Sequence, residues 1–337
     1  MRYGSISSGN YFVPLLIGAK KFIYFELCNL NYIIHYYFFI LVYKSIFHAI
    51  CCDHLNRKYI HDQKVKSNNI FSSYLAGLFE GDGHIIIPKS NAKKIRYVIA
   101  ITFHEKDLKL CEYIKNKLGH SWIRMKTKEH ACVLTFHTDE GLMVFVKLVN
   151  GYLRTPKLYK FNLIIDYLNN KYGLNYFKYE PDYSNLGQNS WLAGFVDADG
   201  GFLIRYASPN CKKFRIACML KIEQRMLDPF SSLSYEPILL LIAKFFNVNL
   251  LISKHNNKNY FQITASSKKS LNIVIKYFNC YKLYSSKYLD YINWIQASSL
   301  LLDGKAYLPE NKKIIYDLKH SMNSKRCIFT WTHLKNL

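Results

Sequence analysis

The chain has 337 residues, half of them apolar, and its 46 Lys and Arg residues against 23 Asp and Glu residues give a formal charge of +23. The apolar fraction excludes a disordered polyelectrolyte, and the length suits two domains that each bury a core. A positive excess of this size indicates a polyanionic partner, with nucleic acid favoured over an anionic membrane.

Residues 1–66 differ from the rest of the chain and are predicted to form a leader. Within them, residues 27–43 carry no formal charge. This run is about as short as a membrane span can be, and Asn and His residues interrupt it. A membrane protein is therefore a disfavoured alternative, and we expect no stable membrane partner.

An internal repeat follows the leader and organises the remainder of the chain. LAGLFEGDG occupies residues 75–83, and LAGFVDADG occupies residues 192–200. Each copy reads Leu-Ala-Gly, two apolar residues, an acid, a small residue, Asp and Gly. The repeat therefore predicts two halves of similar structure, each beginning with a helix.

The hydrophobic pattern after each copy predicts two strands, a helix, two strands and closing helices, an αββαββα order. In the first half, the predicted strands lie at residues 84–88, 95–103, 122–126 and 132–137, and the helices at 105–118, 139–149 and 157–169. In the second half, the strands lie at residues 201–206, 214–222, 248–253 and 260–265, and the helices at 237–246, 268–278 and 286–300. The second half also carries an insertion at residues 228–236.

These elements predict an α+β fold made of two pseudo-symmetric αββαββα half-domains. The two motif helices pair at the centre, and two antiparallel sheets form a saddle with a free face for a polyanion. The predicted boundaries are a leader at 1–66, a first domain at 67–170, a linker at 171–189, a second domain at 190–305 and a basic C-terminal tail at 306–337.

The repeated motif combines small residues in mid-helix with an acid at the helix end. Its small residues are Ala76, Gly77, Ala193 and Gly194. Little side-chain volume at these positions lets two helix backbones approach closely. Asp82 and Asp199 lie where the helix dipole disfavours negative charge, and a conflict that occurs twice indicates function. Carboxylates that converge at paired helix tips would suit Mg²⁺ or Mn²⁺ and metal-assisted phosphodiester hydrolysis.

The two motifs resemble the signatures of the LAGLIDADG homing endonucleases, and the resemblance runs from roughly residue 67 to the C-terminus. It implies that Asp82 and Asp199 hold the catalytic Mg²⁺ or Mn²⁺. The backbone carbonyls of Gly81 and Ala198 are implied to be further metal ligands. The chain is thus expected to be a metal-dependent endodeoxyribonuclease.

Two other pairs of residues take their expected roles from the resemblance. The earlier acids of the motifs, Glu80 and Asp197, are implied to be structural. A lysine at the start of each closing helix is implied to be catalytic, and the best matches are Lys157 and Lys287, with Lys160 and Lys282 as rivals.

A polar residue at the end of the second strand of each half is also implied to act in catalysis. Thr102 falls there in the first half, and Lys221 falls there in the second half with Gln224 nearby. Lys221 is the predicted catalytic residue. Because the two positions differ, the two halves are expected to cut at unequal rates.

The resemblance implies a monomer that binds double-stranded DNA at a long, asymmetric target site. Lys and Arg residues on the strands and their connections are expected to contact phosphates and bases. The predicted contacts are Lys89, Lys94, Arg96, Arg124, Lys126, Arg205, Lys213, Arg215 and Lys254.

Residues 9–19, GNYFVPLLIGA, resemble a segment of cytochrome c oxidase subunit 1. An intron reading frame fused to an upstream exon would give this arrangement, which implies a protein of the mitochondrial matrix. The expected function is intron homing, by a double-strand break in an intronless allele of that subunit's gene. An RNA maturase that assists splicing of its own intron, alone or as a dual role, is the alternative. Whether the leader is removed from the mature protein also stays open.

Overall fold

The computed structural model describes residues 70–88, 96–207, 215–255 and 257–335. The predicted leader and three predicted DNA contacts, Lys89, Lys94 and Lys213, lie outside these residues. Residues 67–337 form one unit of the chain, which contains every element given below. Among the described residues, no helix is both long enough and apolar enough to cross a membrane.

Within its described residues, the first half contains four helices and four strands in the predicted order. They are α1 (Ile70–Asp82), β1 (Gly83–Ile86), β2 (Val98–His104), α2 (Leu108–Leu118), β3 (Trp122–Lys126), β4 (Ala131–Phe136), α3 (Asp139–Val149) and α4 (Lys157–Tyr172). A short 3-10 turn, Glu105–Asp107, joins β2 to α2.

The second half repeats this order and adds one helix at its end. Its elements are α5 (Trp191–Asp199), β5 (Gly200–Tyr206), β6 (Ile216–Arg225), α6 (Glu236–Phe245), β7 (Leu250–His255), β8 (Lys258–Ala265), α7 (Lys268–Cys280), α8 (Lys287–Leu302) and α9 (Pro309–His320). α9 lies inside the region predicted to be a basic tail.

Each half has one four-stranded antiparallel sheet, and the two sheets have the same topology. The strand orders are β1-β2-β4-β3 and β5-β6-β8-β7. The registers also correspond, because Gly83 pairs with Ile101 and Gly200 pairs with Ile222. The predicted α+β fold with two pseudo-symmetric halves is therefore confirmed.

Apolar residues alternate along the strands, so that one face of each sheet packs against helices. In β6, burial alternates from Ile216 through Cys218 and Leu220 to Ile222. The residues between them are only half-buried. This pattern leaves the opposite face of the sheet, here called the open face, free of helices.

The two central helices, α1 and α5, pack backbone against backbone. A Cβ added to Gly77 would lie 1.9 Å from the carbonyl oxygen of Trp191. The equivalent Cβ on Gly194 would lie 1.9 Å from the carbonyl oxygen of Tyr74. Ala76 and Ala193 are fully buried beside these glycines. Only glycine allows so close an approach, and it brings the ends of both helices together.

The chain that follows each half folds back over the turn before that half's closing helix. In the first half, the linker supplies Asp182, whose carboxylate bonds the guanidinium of Arg154 at 2.7 Å. In the second half, the segment after α9 supplies His333, whose Nε2 lies 3.1 Å from the carbonyl oxygen of Tyr284 in the turn before α8. The residues predicted as a C-terminal tail are therefore partly integrated into the core of the second half.

Candidate active site

Asp82 and Asp199 end the two central helices and line one cleft of about 550 Å³. The helix tips are nearly in contact, because a Cβ on Gly81 would lie 2.1 Å from the Cβ of Ala198. That same Cβ would lie 3.2 Å from Oδ2 of Asp199. Glycine at position 81 thus leaves room for a carboxylate contributed by the other half.

The environment of the two carboxylates disfavours a pair of bare negative charges. Burial and the neighbouring Asp199 raise the pKa of Asp82 to about 7, although Lys287 and Lys157 oppose the shift. Burial also raises the pKa of Asp199, again against the effect of Lys157 and Lys287. A cation bound between two buried carboxylates would offset both the energetic cost of burying their charges and the repulsion between them.

Lys157 and Lys287 begin the closing helices α4 and α8, and each reaches the end of its own central helix. Nζ of Lys157 donates to the carbonyl oxygens of Phe79 (3.1 Å), Gly81 (3.2 Å) and Gly83 (2.6 Å). Nζ of Lys287 donates to the carbonyl oxygens of Val196 (3.1 Å) and Ala198 (2.7 Å). These ammonium groups place positive charge at the C-terminal ends of the central helices, where the helix dipole is negative.

Burial lowers the pKa of Lys157 to about 8, although Glu80, Asp199 and Asp82 oppose the shift. Burial lowers the pKa of Lys287 as well. Both lysines interact electrostatically with Asp82 and Asp199. Each half contributes one lysine and one aspartate.

The donor set at the helix tips is made of oxygen atoms and fits a hard divalent cation. Asp82 and Asp199 supply carboxylates, and Gly81 and Ala198 supply carbonyls that each accept one bond from a lysine. A carbonyl has two lone pairs, so each can still accept a metal. The described residues contain no group of three or more His, Cys, Asp and Glu side chains that could hold a metal. A donor set made only of carboxylate and carbonyl oxygens is of the kind that hard divalent cations prefer.

The polar side chain that β6 directs at this centre is Gln224. Its Nε2 donates to Oδ2 of Asp199 at 2.7 Å. Lys221, predicted for this role, lies on the open face, where its Nζ pairs with Glu223 at 2.9 Å. The structure therefore places Gln224, which the sequence reasoning noted only as a neighbour, where Lys221 was expected.

The first half has no polar counterpart of Gln224. The register aligns Ile101 with Ile222, so that Phe103 corresponds to Gln224 and Thr102 to Glu223. Phe103 is buried in the core. An equal count from the motif glycines would align Phe103 with Leu220, because the β1–β2 connection is longer in the second half, so only the strand register reveals this difference.

Glu80 and Asp197 are fully buried, and each accepts hydrogen bonds from both halves. Glu80 accepts from the backbone N–H of Arg154 (2.9 Å) and Thr155 (2.6 Å), from the Thr155 hydroxyl (2.6 Å) and from Nε1 of Trp191 (2.7 Å). Asp197 accepts from the backbone N–H of Tyr284 (2.7 Å) and Ser285 (3.1 Å), from the Ser285 hydroxyl (2.5 Å) and from the Tyr74 hydroxyl (2.6 Å). Each acid thus joins the turn before its half's closing helix to the central helix of the other half.

A further contact between the halves holds only the second centre. Oδ1 of Asp107, in the turn after β2, accepts from the backbone N–H of Ser286 at 2.6 Å. Ser286 immediately precedes Lys287. The residue before Lys157 is Pro156, which has no N–H to donate. Asp107 was not among the predicted site residues.

The predicted DNA contacts lie in different places relative to the open faces. Arg124 and Lys126 pair with Val133 and Ala131, and strand alternation puts them on the open face. Arg205 shares the open face of the second sheet, because the neighbouring Ile204 is buried in the core.

Three other predicted contacts are placed differently. Lys254 alternates with Ser253, which bonds Glu223, and therefore shares the helix side of β7 with Ile252. Arg96 precedes β2 and lines an outer cavity of about 890 Å³ that also contains Asp139. Arg215 is exposed directly before β6.

A model of a protein family described as LAGLIDADG endonuclease matches residues 75–168 and 192–298. The chain belongs to the LAGLIDADG endonuclease family. It is 32% identical over 299 residues to "Intron-encoded DNA endonuclease aI3" of Saccharomyces cerevisiae, which spans 78% of this chain and 72% of that protein. It is 32% identical over 251 residues to "Uncharacterized cox1 intron-2 37.2 kDa protein" of Schizosaccharomyces pombe, over 72% of this chain and 69% of that protein.

This LAGLIDADG chain is also similar to a protein named as a maturase and to several solved structures. It is 27% identical over 219 residues to "Intron-encoded RNA maturase bI4" of Saccharomyces cerevisiae, over 64% of this chain and 31% of that protein. The meganuclease I-AabMI, solved with uncleaved DNA, has a TM-score of 0.61 at 19% identity, over 75% of this chain and 99% of its own. I-SmaMI, solved with cleaved DNA, has a TM-score of 0.59 at 20% identity, over 76% of this chain and 97% of its own. At these identities, the structural matches establish the shared fold.

Proposed function

We propose that this chain is an intron-encoded, site-specific DNA endonuclease that makes a double-strand break and thereby promotes homing of its intron. The observation that carries the proposal is the convergence of Asp82 and Asp199, one from each half, at the joined tips of the central helices. Two carboxylates, each with its own lysine, provide one centre for each DNA strand. The open faces of the two sheets flank these centres.

The substrate we propose is a long, asymmetric duplex bound by a single chain. The two open faces carry different side chains, since Arg124 and Lys126 face outward in the first sheet and Arg205 in the second. An asymmetric protein surface reads an asymmetric sequence without a second copy of the chain. Lys and Arg on these faces would neutralise phosphates, and their positions would fix the register on the duplex.

The proposed cofactor is Mg²⁺ or Mn²⁺, held by Asp82, Asp199 and the carbonyl oxygens of Gly81 and Ala198. When bound, the metal supplies a nucleophilic water and charge stabilisation for phosphodiester hydrolysis. Lys157 and Lys287 would place positive charge beside the phosphate at which each strand is cut. Gln224 would orient the Asp199 carboxylate through its 2.7 Å hydrogen bond.

The proposed site of action is the mitochondrial matrix, and the proposed target lies in the gene for cytochrome c oxidase subunit 1. Residues 9–19 support this target, because they resemble part of that subunit. The relative from Schizosaccharomyces pombe, named for a cox1 intron, supports it independently. The target sequence would then be the exon junction that follows the codons for residues 9–19.

RNA maturation is the second candidate function. A relative named as an RNA maturase supports it, although this chain spans only 31% of that protein. Endonuclease activity has stronger support, because both motif aspartates are present and a relative that is 32% identical over 299 residues is named as a DNA endonuclease.

The experiment uses the full chain with Mg²⁺ and a plasmid that carries the intronless exon junction. We expect one defined double-strand break, which is lost in Asp82→Asn/Asp199→Asn while DNA binding persists. Asp166→Asn, which changes an exposed carboxylate paired with Lys178, is the matched control and should cut normally. An intact plasmid together with faster splicing of the intron RNA would favour the maturase instead.

A further inference from the structure

The loop of residues 226–235, here called the apolar loop, distinguishes the second half from the first. It joins β6 to α6, whereas the first half has only the turn Glu105–Asp107 at this position. Three large apolar side chains on it are exposed, namely Leu227 (55%), Phe230 (46%) and Leu233 (43%). Such exposure on a short segment indicates either a partner or an unstructured loop.

The apolar loop is held in one conformation by its own hydrogen bonds. The buried carboxylate of Asp228 accepts from the N–H of Phe230 (3.1 Å), the N–H of Ser231 (2.8 Å) and the hydroxyl of Ser231 (2.9 Å). The base of the loop closes through Tyr235 N–H to the carbonyl of Met226 at 3.0 Å and Asp228 N–H to the carbonyl of Leu233 at 2.9 Å. The exposed apolar side chains therefore belong to a loop whose conformation is fixed by hydrogen bonds.

Phe230 lies at the catalytic cleft and faces the first half. Asp228, Pro229 and Phe230 line the cleft that contains Asp82 and Lys157. The ammonium of Lys160, on α4, lies 5.6 Å from the centroid of the Phe230 ring. An apolar ring from the second half is thus placed among the cations beside the first catalytic centre.

We propose that the apolar loop is a wedge that packs Phe230 against the bases of the target duplex between the two cuts. This inference rests on the proposed function, because it assumes that DNA occupies the cleft. Lys157, Lys160 and Arg225 line the same cleft and would hold phosphates there. Among partners of matching charge, a nucleic acid also offers apolar base faces at the same place, so that one ligand satisfies both the cations and the ring.

A wedge of this kind would make the protein sensitive to bases that it does not contact through hydrogen bonds. Inserting an apolar side chain at a base step partly unstacks it and kinks the duplex. The energy required depends on the step, and pyrimidine–purine steps deform most easily. Phe230 would therefore favour targets with such flexible steps between the two cuts.

The test compares the full-length wild type with Phe230→Ala and Phe230→Tyr on duplexes that differ only between the two cuts. The wild type and Phe230→Tyr should cut flexible sequences at least ~10-fold faster than stiff ones, which is within the range of base–aromatic stacking. Phe230→Ala should lose most of this ratio. Leu233→Ala is the matched control, because Leu233 is on the same loop but outside the lining of the cleft. It should behave as the wild type.

A second readout separates this inference from the proposed function. A fluorescent 2-aminopurine placed between the cuts should brighten when the wild type binds and should stay quenched with Phe230→Ala. An unchanged ratio and an unchanged fluorescence response in Phe230→Ala would overturn the wedge. If the wild type binds DNA and unstacks the probe but does not cut, the wedge stands and the proposed nuclease activity fails. Absence of DNA binding would overturn both.

Discussion

Gly194→Ala is the substitution that tests most directly whether the close pairing of α1 and α5 builds the active site. The added Cβ would lie 1.9 Å from the carbonyl oxygen of Tyr74 and 2.7 Å from the backbone nitrogen of Leu78, whereas ordinary contact begins at 3.4 Å. The two helices must therefore separate by more than an ångström, because both obstructing atoms belong to the backbone. Side-chain rearrangement cannot relieve the overlap.

The expected cost follows from two opposing contributions. Overpacking a tight core costs roughly 1–3 kcal/mol, and alanine in a helix returns about 0.5–1 kcal/mol relative to glycine. Because backbone atoms cause the clash, we expect the upper end of the overpacking cost, which leaves a net loss of about 2–2.5 kcal/mol. A displacement of about 1 Å between catalytic groups can also slow chemistry by roughly 100-fold.

The assay combines urea unfolding with cleavage of the target plasmid. Gly201→Ala is the matched control for stability, because a Cβ at Gly201 would meet no atom within 4 Å. Gly194→Ala should unfold at lower urea and cut much more slowly, while Gly201→Ala should unfold as the wild type does. If Gly194→Ala matched the wild type in both stability and cutting rate, the reasoning from helix approach to active site would be refuted.

The remaining predictions concern the two centres and the C-terminal segment. Removal of Mg²⁺ with EDTA should abolish cutting but not DNA binding, and added Mg²⁺ should restore cutting in the wild type and not in Asp82→Asn. Gln224→Leu should slow cleavage of one DNA strand by about 10-fold or more, because the hydrogen bond to Asp199 is lost, so that nicked plasmid accumulates. Equal slowing of cleavage on both DNA strands would contradict this. Asp107→Ala should slow cleavage of the same DNA strand as Lys287→Met does. Asp107→Asn, which keeps an acceptor oxygen, should retain part of the cleavage rate. Because burial lowers the pKa of His333 below its ordinary 6.5, stability present above pH 6.5 should be lost as the pH falls toward the folded-state pKa. Urea unfolding at pH 7.5 and 5.5 should show this loss in the wild type, and a smaller one in His333→Gln.

The order of elements and the pairing of the motif helices could be predicted because both are written in local sequence. Period-two and helical patterns define the strands and helices, and the two motifs define the pseudo-symmetry. The predicted helix at residues 286–300 is α8, Lys287–Leu302, and the predicted strand at 201–206 lies within β5, Gly200–Tyr206. Small errors at element ends had little consequence in these cases.

One such error did affect the site. The apolar alternation of β6 stops at Ile222, so the strand was predicted to end there, whereas it continues to Arg225. The extension is stabilised by β8, since Gln224 pairs with Phe261 and Arg225 with Tyr260. Gln224 therefore points toward the helix tips as part of a strand. A polar strand end whose partner lies 37 residues away carries no local signal.

The C-terminal region shows a different limit. It was predicted as a basic tail, yet it contains α9, Pro309–His320, in which only Ile315 is buried. A single buried position gives almost no amphipathic pattern, although proline in the first turn is a typical helix start. The bond between Asp107 and Ser286 was also beyond sequence reasoning, because 179 residues separate them.

The buried acids Glu80 and Asp197 have a consequence for protein engineering. Each is satisfied in part by a donor from the opposite half, Trp191 for Glu80 and Tyr74 for Asp197. A chimera that joins one half of this chain to a foreign half would leave a fully buried carboxylate one donor short unless the incoming helix carries an equivalent side chain. Domain shuffling to create new target specificities should therefore transplant Tyr74 or Trp191 together with the half whose acid it serves.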